Sequence, residues 1–295
     1  MTTLVGARLD SIVSRKQLTP VAGLTSDAFR QWLVDVMHAV TDGELYPTIV
    51  WPATADRGRI YVHLLDASGN RRAFAKLSLD PLNSRLIDNE RRALERLRNA
   101  QLQRTKVPAV IACGALEDKA WLIMQPTPAD ARPLGAHGTV DLSENIRELG
   151  GPVQRREFSA VQGEWWWERF TTASAVPRRF VDRAHHAAAS GIDVCRVHGD
   201  LNHTNLLLQR DNLWMLDWEQ SSEHGPVLTD FICANIDRAW PGIIRNPIRS
   251  LRQFLENHWN ERAREHQNKV VLALAFLAGA GFPPALALIK AWHTD

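Results

Sequence analysis

The passage between residues 197 and 219 constrains this chain more than any other. Val197-His198-Gly199-Asp200-Leu201-Asn202-His203-Thr204-Asn205 is polar and turn-forming, and three leucines, Leu206 to Leu208, follow it. Gln209 to Asn212 interrupt the apolar run, which resumes as Leu213-Trp214-Met215-Leu216 and ends on Asp217. Two apolar runs of strand length about a polar turn predict a loop followed by an antiparallel hairpin. With the turn centred on Asp211, residue 206 faces 216, and Asn205 lies beside Asp217 at the open end of the hairpin. An amide oxygen and a carboxylate held together, with Asp200 close in sequence, make a hard-oxygen site suited to magnesium rather than zinc. Magnesium keeps several waters and completes its shell with substrate phosphates, so a nucleoside triphosphate is its expected companion.

The rest of the chain allows such a site. Its 295 residues are 45% hydrophobic, enough for two ordinary domains or one two-lobed domain with a substantial core. Lys and Arg number 35 against 33 Asp and Glu, a formal net charge of +2, which provides no broad field for nucleic acid. Cys113, Cys195 and Cys233 lack CxxC spacing, so neither a disulfide framework nor a cysteine zinc site is expected, and a reducing cytoplasm fits. Arg8 and Asp10 precede any long apolar run, which is wrong for a secretory signal. Residues 270 to 289 are uncharged, but Gly279, Gly281, Pro283 and Pro284 divide them into two buried helices, and membrane contact is not expected. Nothing in the chain sets an oligomeric state.

Along the chain, Ser26 caps a helix whose apolar residues Phe29, Trp32, Leu33, Val36, Met37 and Val40 share one face. Strand patterns follow at 48–51, 60–65 and 73–79, the last two joined by Ser68-Gly69-Asn70. A helix over 83–101 precedes further strands at 107–111 and 120–124. Gln125-Pro126-Thr127-Pro128 cannot continue as an inner strand and marks a connector. The domains expected are an N-terminal helical extension over 1–44, a sheet lobe over 45–126 and a mostly helical lobe over 127–295. Lys76 sits inside the apolar strand Ala73 to Leu77, out of place unless its head reaches an anion. Ile87, Glu90, Leu94 and Leu97 fall on one helical stripe, so Glu90 points inward where leucine is expected. A buried carboxylate needs a cation, and Lys76 supplies one.

His198-Gly199-Asp200-Leu201 with Asn205, and Leu216-Asp217-Trp218-Glu219, resemble the motifs of the aminoglycoside phosphotransferase and choline kinase superfamily, a branch of the protein-kinase-like fold. The resemblance extends over about residues 45 to 295 and implies an α+β, two-lobed fold: a small antiparallel sheet plus helix, then a mostly helical lobe. It implies ATP and Mg2+ as cofactors and a small-molecule hydroxyl as acceptor. Asp200 would orient that hydroxyl and accept its proton, His198 would brace the loop, Asn205 and Asp217 would bind magnesium, and Glu219 would be an auxiliary acid. Lys76, paired with Glu90, would hold nucleotide phosphates, and the carbonyl of Gln125 and amide of Thr127 would meet the adenine. The phosphate-covering loop would be residues 53–59, with a single glycine, so that Arg57 or Arg59 either touches phosphate or is a solvated loop charge. Asp230 reads as a helix cap, or by the resemblance as an acid steadying the catalytic loop. His185 and His186 are adjacent on a helix and point about 100 degrees apart, which discards a shared zinc.

For the acceptor, Trp165-Trp166-Trp167 cannot all face one core, so at least one indole is available to stack on a sugar or quaternary amine. Residues 198–295 hold 11 acids against 9 bases, too balanced for a polycationic aminoglycoside. A sugar or amino alcohol is therefore expected. A protein kinase is the alternative enzyme, but no Asp-Phe-Gly or Ala-Pro-Glu follows Asp217. A nucleotide-binding pseudokinase scaffold is the non-enzymatic alternative, and the intact Lys76, Glu90, Asp200, Asn205 and Asp217 argue against it.

Overall fold

The computed structural model describes residues 26–50, 58–135, 140–258 and 263–292. It divides into two units, residues 1–95 with 108–129, and residues 96–107 with 130–295. In chain order the first unit contributes α1 (Ser26–Val40), β1 (Tyr46–Val50), β2 (Arg59–Leu65), β3 (Arg71–Ser78) and α2 (Pro81–Arg98), whose last turn counts with the second unit. After β4 (Thr105–Lys106) of the second unit come β5 (Val110–Leu116) and β6 (Lys119–Met124). The five strands of the first unit form an antiparallel sheet in the order β1-β2-β3-β6-β5.

Strand alternation sorts the side chains of this sheet by face. Ile60, Val62 and Leu64 of β2, Ala73, Ala75 and Leu77 of β3 and Ile123 of β6 form one core with Phe29, Trp32, Leu33, Val36 and Met37 of α1. Each large apolar side chain so buried contributes about 1.5–3 kcal/mol. Residues 26–40 are thus part of the sheet's own core rather than a separate extension, because their apolar stripe has that sheet face to cover. α1 begins at Ser26, whose side chain lies outside the described set, as do Trp51 and residues 53–57 of the expected phosphate-covering loop. The β2–β3 turn is closed by Asp66, whose carboxylate accepts from the amides of Ser68 and Asn70, each at 2.9 Å. The strand expected over 107–111 begins only at Val110, since Pro108 lacks the N–H a ladder needs.

The second unit continues with β7 (Arg132–Pro133), α3 (Ser143–Gly150), β8 (Gln154–Arg156), α4 (Phe158–Val161), α5 (Trp165–Thr172), α6 (Arg178–Ala188) and β9 (Ile192–Val197). Then come β10 (Leu206–Gln209), β11 (Asn212–Met215), β12 (Ser222–Pro226), α7 (Thr229–Arg245), α8 (Pro247–His258), α9 (Arg264–Gly279) and α10 (Pro283–Ala291). The helices dominate as expected, but two small sheets, β4-β11-β10-β7 and β12-β9-β8, run through the unit. Most of these strands are too short to leave a periodic signal. Val270 to Gly279 of α9 are buried all round, packed among α5, α6, α7 and α10. A helix apolar on every side belongs inside a core. Gly279 allows the end of α9 to approach α5, since a Cβ there would collide with the carbonyl of Trp166. The uncharged 270–289 stretch is therefore two helices joined by a short turn, and among the described residues no helix is long and apolar enough to cross a membrane.

Candidate active site

In the first unit, the register pairs Lys76 of β3 with Leu122 of β6, on the sheet face opposite Ala75 and Ile123. Ile87, Glu90, Leu94 and Leu97 of α2 are all buried. Lys76 Nζ meets Glu90 Oε2 at 2.6 Å, with side chains only 6% and 1% exposed. The stripe that carries Glu90 inward is thus the one that delivers it to the lysine. Arg59, buried at the start of β2, donates from Nε to Asn83 Oδ1, which turns its guanidinium toward α2. Gln125 is exposed just past β6, its amide spent on the carbonyl of Ala109 at 2.8 Å. Thr127 Oγ1 accepts from Arg71 at 3.3 Å.

In the second unit, β9 delivers the chain to His198 and β10 leads away from Asn205, so the intervening loop is anchored at both ends by sheet. Gly199 has φ +81, and a Cβ there would land on the carbonyl oxygen of Gln220 and 2.9 Å from a ring carbon of Phe276. Only glycine fits. His198 is fully buried, and both ring nitrogens are engaged: Nε2 donates to the Leu216 carbonyl at 2.9 Å, and Nδ1 accepts from the Asp200 amide at 3.3 Å. Its ring lies 4.5 Å from that of Trp218. The histidine ties the loop to the end of β11 and has no free nitrogen for a substrate.

Asp230, in the first turn of α7, makes no helix cap. Its two carboxylate oxygens accept from the amides of His198 and Gly199 at 2.8 and 2.9 Å, which pins the loop from beneath. Burial pushes its carboxyl up, against those two hydrogen bonds. His203 donates its backbone amide to Asp237 and lies 2.7 Å from the same carboxylate through Nδ1, a further tie of the loop to α7.

Asp200 accepts from Asn202 Nδ2 at 2.9 Å and from Asn205 Nδ2 at 3.1 Å. Asn205 Nδ2 also donates to the Asp200 carbonyl at 2.9 Å. The amide nitrogen of Asn205 is therefore spent on Asp200, which leaves Oδ1 as its open oxygen. Burial pushes the Asp200 carboxyl above the usual carboxylate range, and the charge of Asp217 adds to that, against the hydrogen bonds from Asn202 and Asn205. A raised carboxyl is a better proton acceptor than an ordinary aspartate.

The hairpin register differs from expectation by one residue: Leu206 pairs with Met215, not residue 216, and Gln209 pairs with Asn212. Arg210 adopts φ +53, which closes a two-residue turn where the sequence suggests a longer one. Asn205 is consequently level with Leu216, whose amide donates to the Asn205 carbonyl at 2.9 Å, and Asp217 stands one residue beyond. Asp217 is itself left-handed, with φ +64, a conformation that costs about 1–3 kcal/mol and that aspartate tolerates better than most residues. Glu219 lies in the single helical turn that follows. The loop and hairpin thus gather the raised carboxyl of Asp200, the open amide oxygen of Asn205 and the carboxylates of Asp217 and Glu219.

A family model of the RIO domain matches residues 178–232, the span from α6 through this loop and hairpin to the start of α7. A search of the curated proteins finds no match. Among solved structures, the chain is similar to a thermostable mutant of the aminoglycoside phosphotransferase APH(4)-Ia in complex with ADP and hygromycin B, with TM-score 0.56 and 12% identity over 90% of this chain and 96% of that one. It is also similar to the ethanolamine kinase of Plasmodium vivax, with TM-score 0.57 and 12% identity over 98% of this chain and 91% of that one. The fold is that of the kinase-like two-lobed phosphotransferases. Within this kinase-like fold, Asn202, Asp230 and Asp237 carry the loop's geometry, although the sequence offers Asp230 only as one option of two and does not single out the others. Asn202 stands two residues after Asp200, the spacing of a local side-chain hydrogen bond, and that is the available signal. Asp237 is linked to the loop only through the tertiary packing of α7.

Proposed function

We propose that this chain is an ATP- and magnesium-dependent phosphotransferase that moves the terminal phosphoryl group of ATP to a hydroxyl of a small molecule, a sugar or amino alcohol. The observation that carries the reading is Asn205, whose amide nitrogen is spent on Asp200 while its oxygen stays open, with Asp217 just beyond the hairpin. This all-oxygen donor set, with Glu219 beside it, fits magnesium and has no place for a softer metal. Asn205 and Asp217 would hold magnesium, which when bound would supply charge neutralisation for the nucleotide phosphates.

Asp200 aims the acceptor oxygen and takes its proton, a task helped by its raised pKa. His198, Asp230 and Asn202 hold that aspartate still, so little reorganisation is left for the reaction. Lys76, steadied by Glu90, takes the phosphates, and the Gln125 carbonyl and Thr127 amide take the adenine. Phosphoryl transfer depends mainly on positioning and charge neutralisation, so these groups suffice. The fold shared with proteins crystallised with ADP and AMP-PNP supports a nucleotide substrate. The free state of Cys113, Cys195 and Cys233 supports a reducing cytoplasm as the place of action.

The test is transfer of labelled phosphate from ATP, with and without magnesium, to a panel of sugars, amino alcohols, aminoglycosides and peptides. Transfer to one small-molecule class, lost in Asp200→Asn and in Asp217→Ala, is the expected result. Asp217→Ala should weaken magnesium-nucleotide binding and Asp200→Asn should not; equal loss of nucleotide affinity in both overturns the roles of these two aspartates. Transfer to peptides alone would turn the reading to a protein kinase, and nucleotide binding without transfer to a scaffold.

A further inference from the structure

Of the three consecutive tryptophans, Trp166 and Trp167 are buried in the unit's core and Trp165 is half-buried. Trp165 lies at the start of α5, whose position is held by Glu164, which accepts from His224 Nδ1 at 2.9 Å. Its ring packs edge-on to Phe276 at 5.6 Å. Phe276 is the residue that crowds Gly199, next to Asp200. Trp165 is therefore one aromatic ring away from the loop that holds the proton acceptor.

One turn along α5, the Arg169 guanidinium lies over the Trp165 ring, 5.5 Å from its centroid. Among the described residues, Arg169 makes no side-chain hydrogen bond and no ion pair. Three arginines of this unit are by contrast ion-paired, Arg155 with Asp193, Arg196 with Glu223 and Arg147 with Glu144. Burial lowers the pKa of Arg169, and the nearby Glu219 carboxylate offsets this without approaching within ion-pair distance. A partly desolvated guanidinium with five unspent donors, held flat by an indole, is a fork matched to a carboxylate or phosphate. It also occupies the indole face, so a quaternary amine cannot use that face and would be repelled by the charge beside it.

Resting on the phosphotransferase reading, we propose that Arg169, laid over Trp165 beside the Asp200 loop, binds an anionic group carried by the acceptor alcohol. Within the sugars and amino alcohols of that reading, the acceptor is then one that also carries an anionic group, a sugar acid, a sugar phosphate or a hydroxy amino acid, in preference to an unsubstituted sugar or a simple amino alcohol. The indole edge left open by Arg169 supplies apolar contact to the carbon skeleton.

The experiment compares matched acceptors in the magnesium-ATP transfer assay with the full-length protein: glycerol with glycerate, ethanolamine with serine, and glucose with glucuronate and glucose phosphate. The expected result is preference for an anionic member, with its KM raised tenfold or more in Arg169→Gln, more than its kcat falls, and partly restored in Arg169→Lys. The glucuronate and glucose phosphate arms tell a carboxylate from a phosphate. Arg169→Met, which keeps the apolar stem on Trp165, should give the same KM rise and shows that lost packing is not the cause. Preference for neutral or cationic members, or a KM for anionic acceptors that Arg169→Gln leaves unchanged, overturns the inference and leaves phosphotransfer standing. No transfer to any member also overturns it, and magnesium-dependent ATP hydrolysis, sensitive to Asp217→Ala, then decides the phosphotransferase reading separately.

Discussion

Glu90 in the first unit and Asp200 in the second are both carboxylates taken from water, and their surroundings differ in kind. Glu90 is almost fully enclosed and meets a lysine ammonium at 2.6 Å, so its charge is answered by a full opposite charge. Among the described residues Asp200 has no lysine or arginine against it; two neutral side-chain amides and burial leave its carboxyl raised and only partly satisfied. Asp230 and Glu148 are intermediate, each answered by backbone amides. Glu90 has its charge fully answered, while Asp200, the proton acceptor under the proposed function, keeps some capacity open. Buried charge left incompletely paired is costly, and a site that must receive a proton or a cation is a reason to bear that cost.

The largest expected effect is on the open side of this contrast. Asp200→Asn should lower kcat roughly 10^2–10^4-fold, by removal of the proton acceptor, with nucleotide affinity retained in a binding titration. An unchanged kcat would put Asp200 with the structural carboxylates. On the closed side, Glu90→Ala removes the carboxylate that meets the buried Lys76 ammonium at 2.6 Å and should cost about 3–5 kcal/mol in denaturant unfolding. Replacing both partners by Met should recover most of that stability while nucleotide affinity stays low, which separates the pair's architectural part from its binding part.

Gly199→Ala should cost about 2–3 kcal/mol, from positive φ and collision with the Gln220 carbonyl, and should reduce turnover by displacing Asp200. The smallest effect belongs to Glu148. Its burial would raise its carboxyl, but the amides of Gln103, Arg104 and Thr105 outweigh this and hold it below the ordinary value of 4.5. A lowered folded-state pKa contributes stability that is present above that ordinary value and is lost as pH falls through the lowered one. Glu148→Gln should therefore destabilise by about 1–2 kcal/mol at neutral pH. That difference should shrink as melting is followed into acid below about pH 4, and a constant difference would refute the charge-based account.

Much of this contrast is legible in the chain. Glu90 on a stripe of Ile87, Leu94 and Leu97 signals inward burial because helical period is local, and Lys76 in an apolar strand signals its need for an anion in the same way. The apolar runs 206–208 and 213–216 announce a hairpin. Its register does not follow from them, because a two-residue turn with Arg210 at positive φ is a matter of backbone energetics that arginine does not advertise. β7 and β8 are unread because two or three residues show no period, and they exist by pairing with distant strands.

Local pattern by itself determined which residues seek an interior, where the chain turns, and that an Asp, an Asn and a second Asp stand at the ends of one hairpin. Tertiary structure alone decided that Asp230 grips the loop from α7, that His198 spends both nitrogens on the backbone, and that Arg169 is left beside Trp165 and Glu219 without an ion-pair partner among the described residues. The physical reason is range. Periodicity and turn chemistry act over a few residues, whereas hydrogen bonding and desolvation depend on which distant segments packing brings within a few ångströms.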